Sequence, residues 1–494
     1  MKTLYIAPLL LAAAGTVLAQ APAGSTNDEK PAPPPQTRSF DASAIDKTAD
    51  PCTDFYQYAC GNWVKNNPIP GDQVRWGSFN MLAERNRYYL WQELEAAAKS
   101  PKTPLEKKYG DYYASCMNTE LIDQQGLTQL KPALDRVGAL NDPKQIASTM
   151  GDLAKMGDPG TMFRFGVQQD EKDSTKQIAG IFQGGLSLPD RDYYIVDNKR
   201  FNTIRDQYRA HVTKMFTLAG DSPEQAAKEA DAVIKIETAL AKASTPRVDL
   251  RDPEKRYHIY TLTDFQKLAP EFDFNVYFTD IKVPHFETLN VATPDFFKGM
   301  NEQIASEPID AWKSYLRWHV LHGAAAVLPK AFRDENFEFF QKTLAGQKEP
   351  TPRWRMCTAE TDEALGEAVG QEWVKEHFPP KSKASMDKLV AALDKALADD
   401  IKTLPWMSEE TTKAAEAKLA LYRNKIGYPE KWRDYSALTV KPNDPLGNAE
   451  RAEVFDRNYN LNKLGKPVDE KEWGMTPPTV NAYYSPSMND IRKA

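Results

Sequence analysis

The sequence predicts a mainly α fold with minor β, and three observations predict it. Apolar residues recur at helical spacing over several long stretches; helix start and stop signals flank those stretches; runs with strand character are few. The chain has 494 residues, beyond the size at which one core usually stops growing, so two packed units are expected. Charged residues make up 27% and hydrophobic ones 41%, an ordinary globular balance. The net charge of −6, with no Lys/Arg-rich stripe, argues against nucleic acid as a partner.

The first element is not part of the fold. Lys2 gives a positive start, Thr3 to Ala19 is uncharged and mostly apolar, and Val17-Leu18-Ala19 offers the small residues a signal peptidase reads. Residues 1–19 are therefore expected to be a signal peptide, too short to span a bilayer stably. Export to a secreted or periplasmic location follows, with no stable membrane anchor once the signal is cleaved. Residues 20–39, rich in Pro, Ala and polar side chains, read as a disordered linker.

Helices dominate from Phe40 onward. Ser222-Pro223-Glu224-Gln225 has capping-box spacing with Pro at the first helical position, and Val233, Ile236 and Leu240 continue the apolar side. Met386, Leu389, Val390, Leu393, Leu397 and Ile401 form a second stripe, read as core. A third helix is expected after Ser408, running through Leu419, Tyr422 and Ile426 to a stop at Gly427. Strand signals are confined to Met162–Val167, the stretch around Ile178–Leu188, and Thr479–Tyr484.

Chemistry-bearing motifs are scarce. None of the six histidines (His211, His258, His285, His319, His322, His377) belongs to an H-E-x-x-H pair. His319 and His322 share a helix face, but Val320 and Leu321 lie between them and no acid follows, so they read as a packing face. There is no G-x-S-x-G elbow and no Walker A loop. Cys52 and Cys60 are eight residues apart. In a helix that is about 12 Å, whereas a disulfide tolerates only about 4.4–6.8 Å between Cα atoms. Each would then need a partner elsewhere, and Cys116 and Cys357 are the only candidates unless those two pair together.

The segment from Cys52 to Trp63 resembles the opening of the M13 family of zinc metallopeptidases, the neprilysin and endothelin-converting-enzyme family. V-R-W-G-S-F at 74–79, Y-Y-A-S-C-M-N at 112–118 and L-P-D-R-D-Y-Y at 188–194 are similar to family blocks. So are R-W-R-M-C at 353–357, L-G-E-A-V-G at 365–370, L-P-W-M at 404–407, K-I-G-Y-P at 425–429 and T-V-N-A-Y-Y at 479–484, all in family order.

The resemblance implies a two-lobed, neprilysin-like helical architecture enclosing a chamber for short peptide substrates. Residues 40–430 would be the N-terminal helical domain and 431–494 a connector and the start of the catalytic domain. It implies that Cys116 pairs with Cys357, and that Cys52 and Cys60 are unpaired in this chain because their partners lie in the family's catalytic portion. Asn481 and Ala482 match the family's substrate-binding strand. Arg75 matches an arginine near the substrate's C-terminal end in some members, and a second such arginine aligns with Ala83, which tilts the expected activity toward endopeptidase cleavage.

The family continues from this strand to an H-E-x-x-H helix and a downstream acidic ligand. Met488–Ile491 still fits that pattern and Arg492–Ala494 does not. The expectation is a truncated metalloendopeptidase with no catalytic residue and no metal ligand of its own, inactive as written. Zinc is the cofactor of the full-length family enzyme. The alternatives are a non-catalytic peptide-binding protein, or half of a split peptidase partnered by a separate C-terminal catalytic fragment.

Overall fold

A computed structural model describes residues 30–34, 40–157 and 161–493. The expected signal peptide, most of the expected linker and Ala494 lie outside the described residues.

Helices carry the architecture. In the Pro223–Ala243 helix the Ser222 hydroxyl accepts the Gln225 N–H at 3.2 Å, and Val233, Ile236 and Leu240 are fully buried, as the spacing predicts. That helix packs between Lys199–Leu218, Ile309–Ala324 and Pro294–Ser306. Beside them lies a four-stranded sheet in the order β1-β2-β4-β3, formed by β1 (Phe163–Gln169), β2 (Gln177–Gln183), β3 (Ile259–Thr261) and β4 (Thr288–Val291). The expected hairpin is the antiparallel β1–β2 pair, with Phe165 opposite Ile181. β4 runs parallel to β2 and antiparallel to β3. A phenylalanine-rich core (Phe163, Phe265, Phe272, Phe274, Phe297) fills the space between this sheet and the helices.

A separate core joins the Ser78–Lys99, Pro104–Met117 and Arg353–His377 helices. At its centre Cys116 and Cys357 form a disulfide with Cα atoms 5.6 Å apart. Arg353 reinforces it by donating from Nε to the Cys116 carbonyl at 2.9 Å. Cys52 is exposed in a turn before the Phe55–Asn66 helix and Cys60 is half-buried within that helix; both are free.

Two expectations are corrected. The stripe on the Pro380–Ile401 helix is not core along its length. Val390 and Ile401 are buried, but Leu389, Leu393 and Leu397 are 52%, 53% and 48% exposed. Periodicity reports that a face is apolar, not how far it is covered. Likewise the helix capped by Ser408 stops at Ala420, and Arg423–Ile426 is a strand, β5. β5 pairs in parallel with β7 (Asp490–Lys493), a partner more than sixty residues away that local spacing cannot reveal.

Candidate functional site

The second sheet has the order β5-β7-β6, where β6 is Ala482–Ser485. Of the stretch Thr479–Tyr484 expected as a strand, only the part from Ala482 onward is one. β7 is central, pairing with β5 on one side and with β6 on the other, Tyr483 opposite Arg492 and Tyr484 opposite Ile491. The far edge of β6 pairs with no strand among the described residues. An unpaired edge presents N–H and C=O groups in register for any extended chain.

One face of this sheet is fixed by buried charge. Asp490, fully buried, pairs with Lys425 at 2.7 Å and with Arg492 at 3.3 Å. Burial is the chief influence on Lys425 and holds its ammonium below the usual lysine range. Arg492 also reaches the Tyr483 hydroxyl, which in turn accepts the Gly474 N–H at 3.1 Å. On the other face Tyr484 stacks on Tyr422 and donates to Asn489 Oδ1 at 3.1 Å. β6 is thereby held from both faces and left open at its edge.

The segment leading into β6 is clamped to the helices. Asn86 donates from Nδ2 to the Pro478 carbonyl at 2.7 Å, and Thr476 donates to Asp362 at 3.0 Å. The Arg353–His377 helix is kinked at Leu365, and Gly366 and Gly370 follow the kink. A Cβ at Gly366 would stand 2.3 Å from Thr476 Cγ2, and one at Gly370 2.9 Å from Pro477 Cδ, so glycine lets the segment seat. Burial pushes the Asp362 carboxyl up to about 6, against the Thr476 bond that lowers it.

Asn481 stands exposed at the entrance to β6. Its Oδ1 accepts the Ala482 N–H at 2.8 Å, and its own N–H donates to the Thr479 carbonyl at 3.0 Å. Its side-chain NH2 has no partner among the described residues and is available to a ligand. Next to it opens a cavity of about 480 Å³ lined by Thr479, Val480, Arg85, Tyr89, Trp373 and His377. The Tyr89 and His377 rings stack at 4.1 Å, and burial holds His377 below the usual histidine range.

Arg75 is exposed in the loop between the Phe55–Asn66 and Ser78–Lys99 helices. The loop is tied down where the Gly71 carbonyl accepts the Lys348 and Glu349 N–H groups at 2.9 Å, and where Asp72 pairs with Arg355. No hydrogen bond or ion pair joins Arg75 to Asn481 or Ala482 among the described residues. Both segments are tied to the Arg353–His377 helix, the Arg75 loop through Asp72–Arg355 and the β6 approach through Thr476–Asp362.

The histidines do not make a metal site. His322 stacks on Trp318 with ring planes 14° apart, and burial, first among its influences, pushes its imidazole down to about 3. His319 Nε2 lies 3.5 Å from Glu237, whose oxygens already accept from Ser187, Tyr194 and Tyr208 at 2.6–2.9 Å. Among the described residues no group of three or more His, Cys, Asp or Glu side chains could hold a metal ion. Sequence reasoning missed Glu237, although it falls on the same helical side as Val233 and Leu240. A charge inside an apolar stripe was the available signal.

The fold is a mostly helical body carrying an open-edged strand beside a cavity, and comparison gives the family. The profile of Peptidase family M13 matches residues 51–429, and the chain belongs to that family. It is 33% identical over 478 residues to an endothelin-converting enzyme homolog of Locusta migratoria, covering 91% of this chain and 65% of that protein. Neprilysin-3 of Drosophila melanogaster is 32% identical, covering 91% and 60%. Among solved structures, the zinc metalloprotease Zmp1 of Mycobacterium tuberculosis in complex with an inhibitor superposes with a TM-score of 0.87 at 32% identity, covering 92% of this chain and 69% of that one. The chain thus spans 60–65% of the length of these two curated relatives. The residues described here do not fit a zinc site.

Proposed function

We propose that this chain is the peptide-admitting part of an exported M13-type metalloendopeptidase acting on oligopeptides. An extended peptide would add to β6 as a further strand, with Asn481 supplying a side-chain amide to its backbone and the neighbouring cavity taking a side chain. The observation that carries this reading is the unpaired edge of β6, held from both faces but open at the rim. The uncharged segment Thr3–Ala19 and the Cys116–Cys357 disulfide support export to an oxidising compartment. No helix among the described residues is long and apolar enough to cross a membrane. Zinc, when bound by the complete enzyme, would activate water and polarise the scissile carbonyl. The share of that work proposed for the residues described is to position the peptide.

The test is binding of an acetylated, amidated hexapeptide and of its analogue N-methylated at alternate amides. Strand addition predicts that the N-methyl analogue binds at least about tenfold more weakly. Equal affinities would refute it.

A second reading, half of a split peptidase, draws support from the exposed row Leu389, Leu393 and Leu397, with Trp406 72% exposed nearby in sequence. Such a face suits a further polypeptide segment. Co-expression with a zinc-binding M13 fragment, followed by co-purification and recovered peptidase activity, tests it; two species that never associate would eliminate it.

A further inference from the structure

A second cleft, of about 580 Å³, lies away from β6 in the part of the molecule built on the four-stranded sheet. It exists because the loop after β2 is pressed inward. A Cβ at Gly184 would stand 2.9 Å from the Phe163 Cα; one at Gly185, where φ is +78°, would stand 2.6 Å from the Tyr315 hydroxyl. Only glycine lets the loop sink this far, and the sunken loop leaves the space above it.

Three arginines from three separate segments line that space: Arg164 from β1, Arg191 from the turn after the loop, and Arg247 from the segment following the Pro223–Ala243 helix. Arg191 is partly engaged, donating from Nε to the Ala241 carbonyl at 3.1 Å, with its nearest carboxylate, Asp192, 3.9 Å away. Arg164 and Arg247 are exposed and have no hydrogen-bond or ion-pair partner among the described residues. Three carboxylates stand near the three charges, Asp192 being the one beside Arg191. Asp190 lines the cleft, and Glu237 lies fully buried nearby, its oxygens occupied by three hydroxyl donors. None of these carboxylates pairs with Arg164 or Arg247, which leaves two guanidinium groups free to meet a carboxylate from a ligand. The guanidinium fork matches carboxylate geometry, and a cleft of this size falls within the roughly 300–1,000 Å³ range of ligand pockets.

We propose that this cleft is a carboxylate-recognition site in which Arg164 and Arg247 grip an acidic side chain or the free C-terminus of a peptide. Taking a peptide rather than another carboxylate as the ligand rests on the functional reading above; the site itself shares no lining residue with the β6 cavity.

The test is calorimetric titration of the full chain at low ionic strength with three acetylated tetrapeptides. One carries glutamate with an amidated terminus, one has a free terminus and no acidic side chain, and one is neutral and amidated. Each is titrated against the unmodified chain, Arg164→Gln/Arg247→Gln and Asn481→Ala. One or both anionic peptides should bind at least about tenfold tighter than the neutral one, and the responsive probe identifies side chain or terminus as the source. That gap should vanish in the double arginine variant and persist in Asn481→Ala, even if Asn481→Ala weakens all three together. Equal affinity for all three peptides would overturn the proposal, as would a gap that survives the double arginine variant. A gap lost only in Asn481→Ala would assign charge reading to β6 instead. Both arginines are exposed, so the thermal midpoint should stay unchanged and serve as the folding control.

Discussion

Asn86, on the Ser78–Lys99 helix, donates to the carbonyl of Pro478 at 2.7 Å across 392 residues of sequence. This bond fixes the start of the segment that delivers Asn481 to the open edge of β6. Asn86→Ala should cost peptide affinity more than stability. A single hydrogen bond is worth about 0.5–1.5 kcal/mol, so affinity should fall about 2- to 10-fold, with faster amide exchange across residues 476–485. Unchanged exchange there would mean that the clamp is redundant.

Asp362 makes stability depend on pH. Its folded pKa, about 6, lies above the ordinary aspartate value of 3.8 because the carboxyl is buried. The folded state therefore holds a proton that the unfolded state releases between these values. The stabilisation is complete below about pH 3.8 and is lost as pH rises through about 6. Asp362→Asn keeps an oxygen to accept from Thr476 and removes the ionisation. Thermal melts should show it more stable than the parent at pH 7.5, by about 1–3 kcal/mol, and equal to it near pH 4.

The Cys116–Cys357 disulfide closes a separation of 241 residues. Replacing both cysteines by serine should cost about 2–5 kcal/mol in denaturant unfolding. Denatured but unreduced parent protein should titrate two thiols, Cys52 and Cys60. A count of zero would show that these two are bonded after all.

The apolar face of the Pro380–Ile401 helix gives a paired contrast. Leu393 is 53% exposed and Val390 only 4%. Leu393→Asp should move stability by no more than about 0.5 kcal/mol and reduce self-association in light scattering. Val390→Asp should destabilise by several-fold more. Similar losses for both would mean that the face is covered in solution.

Legibility of the fold tracked how local the determining forces are. The Ser222 cap and the buried side of its helix follow from neighbours three and four residues apart, and the sequence shows them. β5 does not, because Arg423–Ile426 continues an apolar helical spacing and becomes a strand only by pairing with Asp490–Lys493. β3 and β4, of three and four residues, are too short for alternation to register, and they exist through contact with β2 and with each other. The strand character of Asn-Ala-Tyr-Tyr is legible in its residues, and β6 begins at Ala482. That β6 is an edge strand is a fact of topology that no residue pattern encodes.

The central claim is that peptide adds to β6. The most direct measurement is amide hydrogen exchange across residues 480–486, with and without saturating hexapeptide. The account predicts slower exchange at alternate amides of this segment, those pointing away from β7, with the protection reduced in Asn481→Ala. Peptide binding that leaves these amides exchanging at their unliganded rates would contradict it.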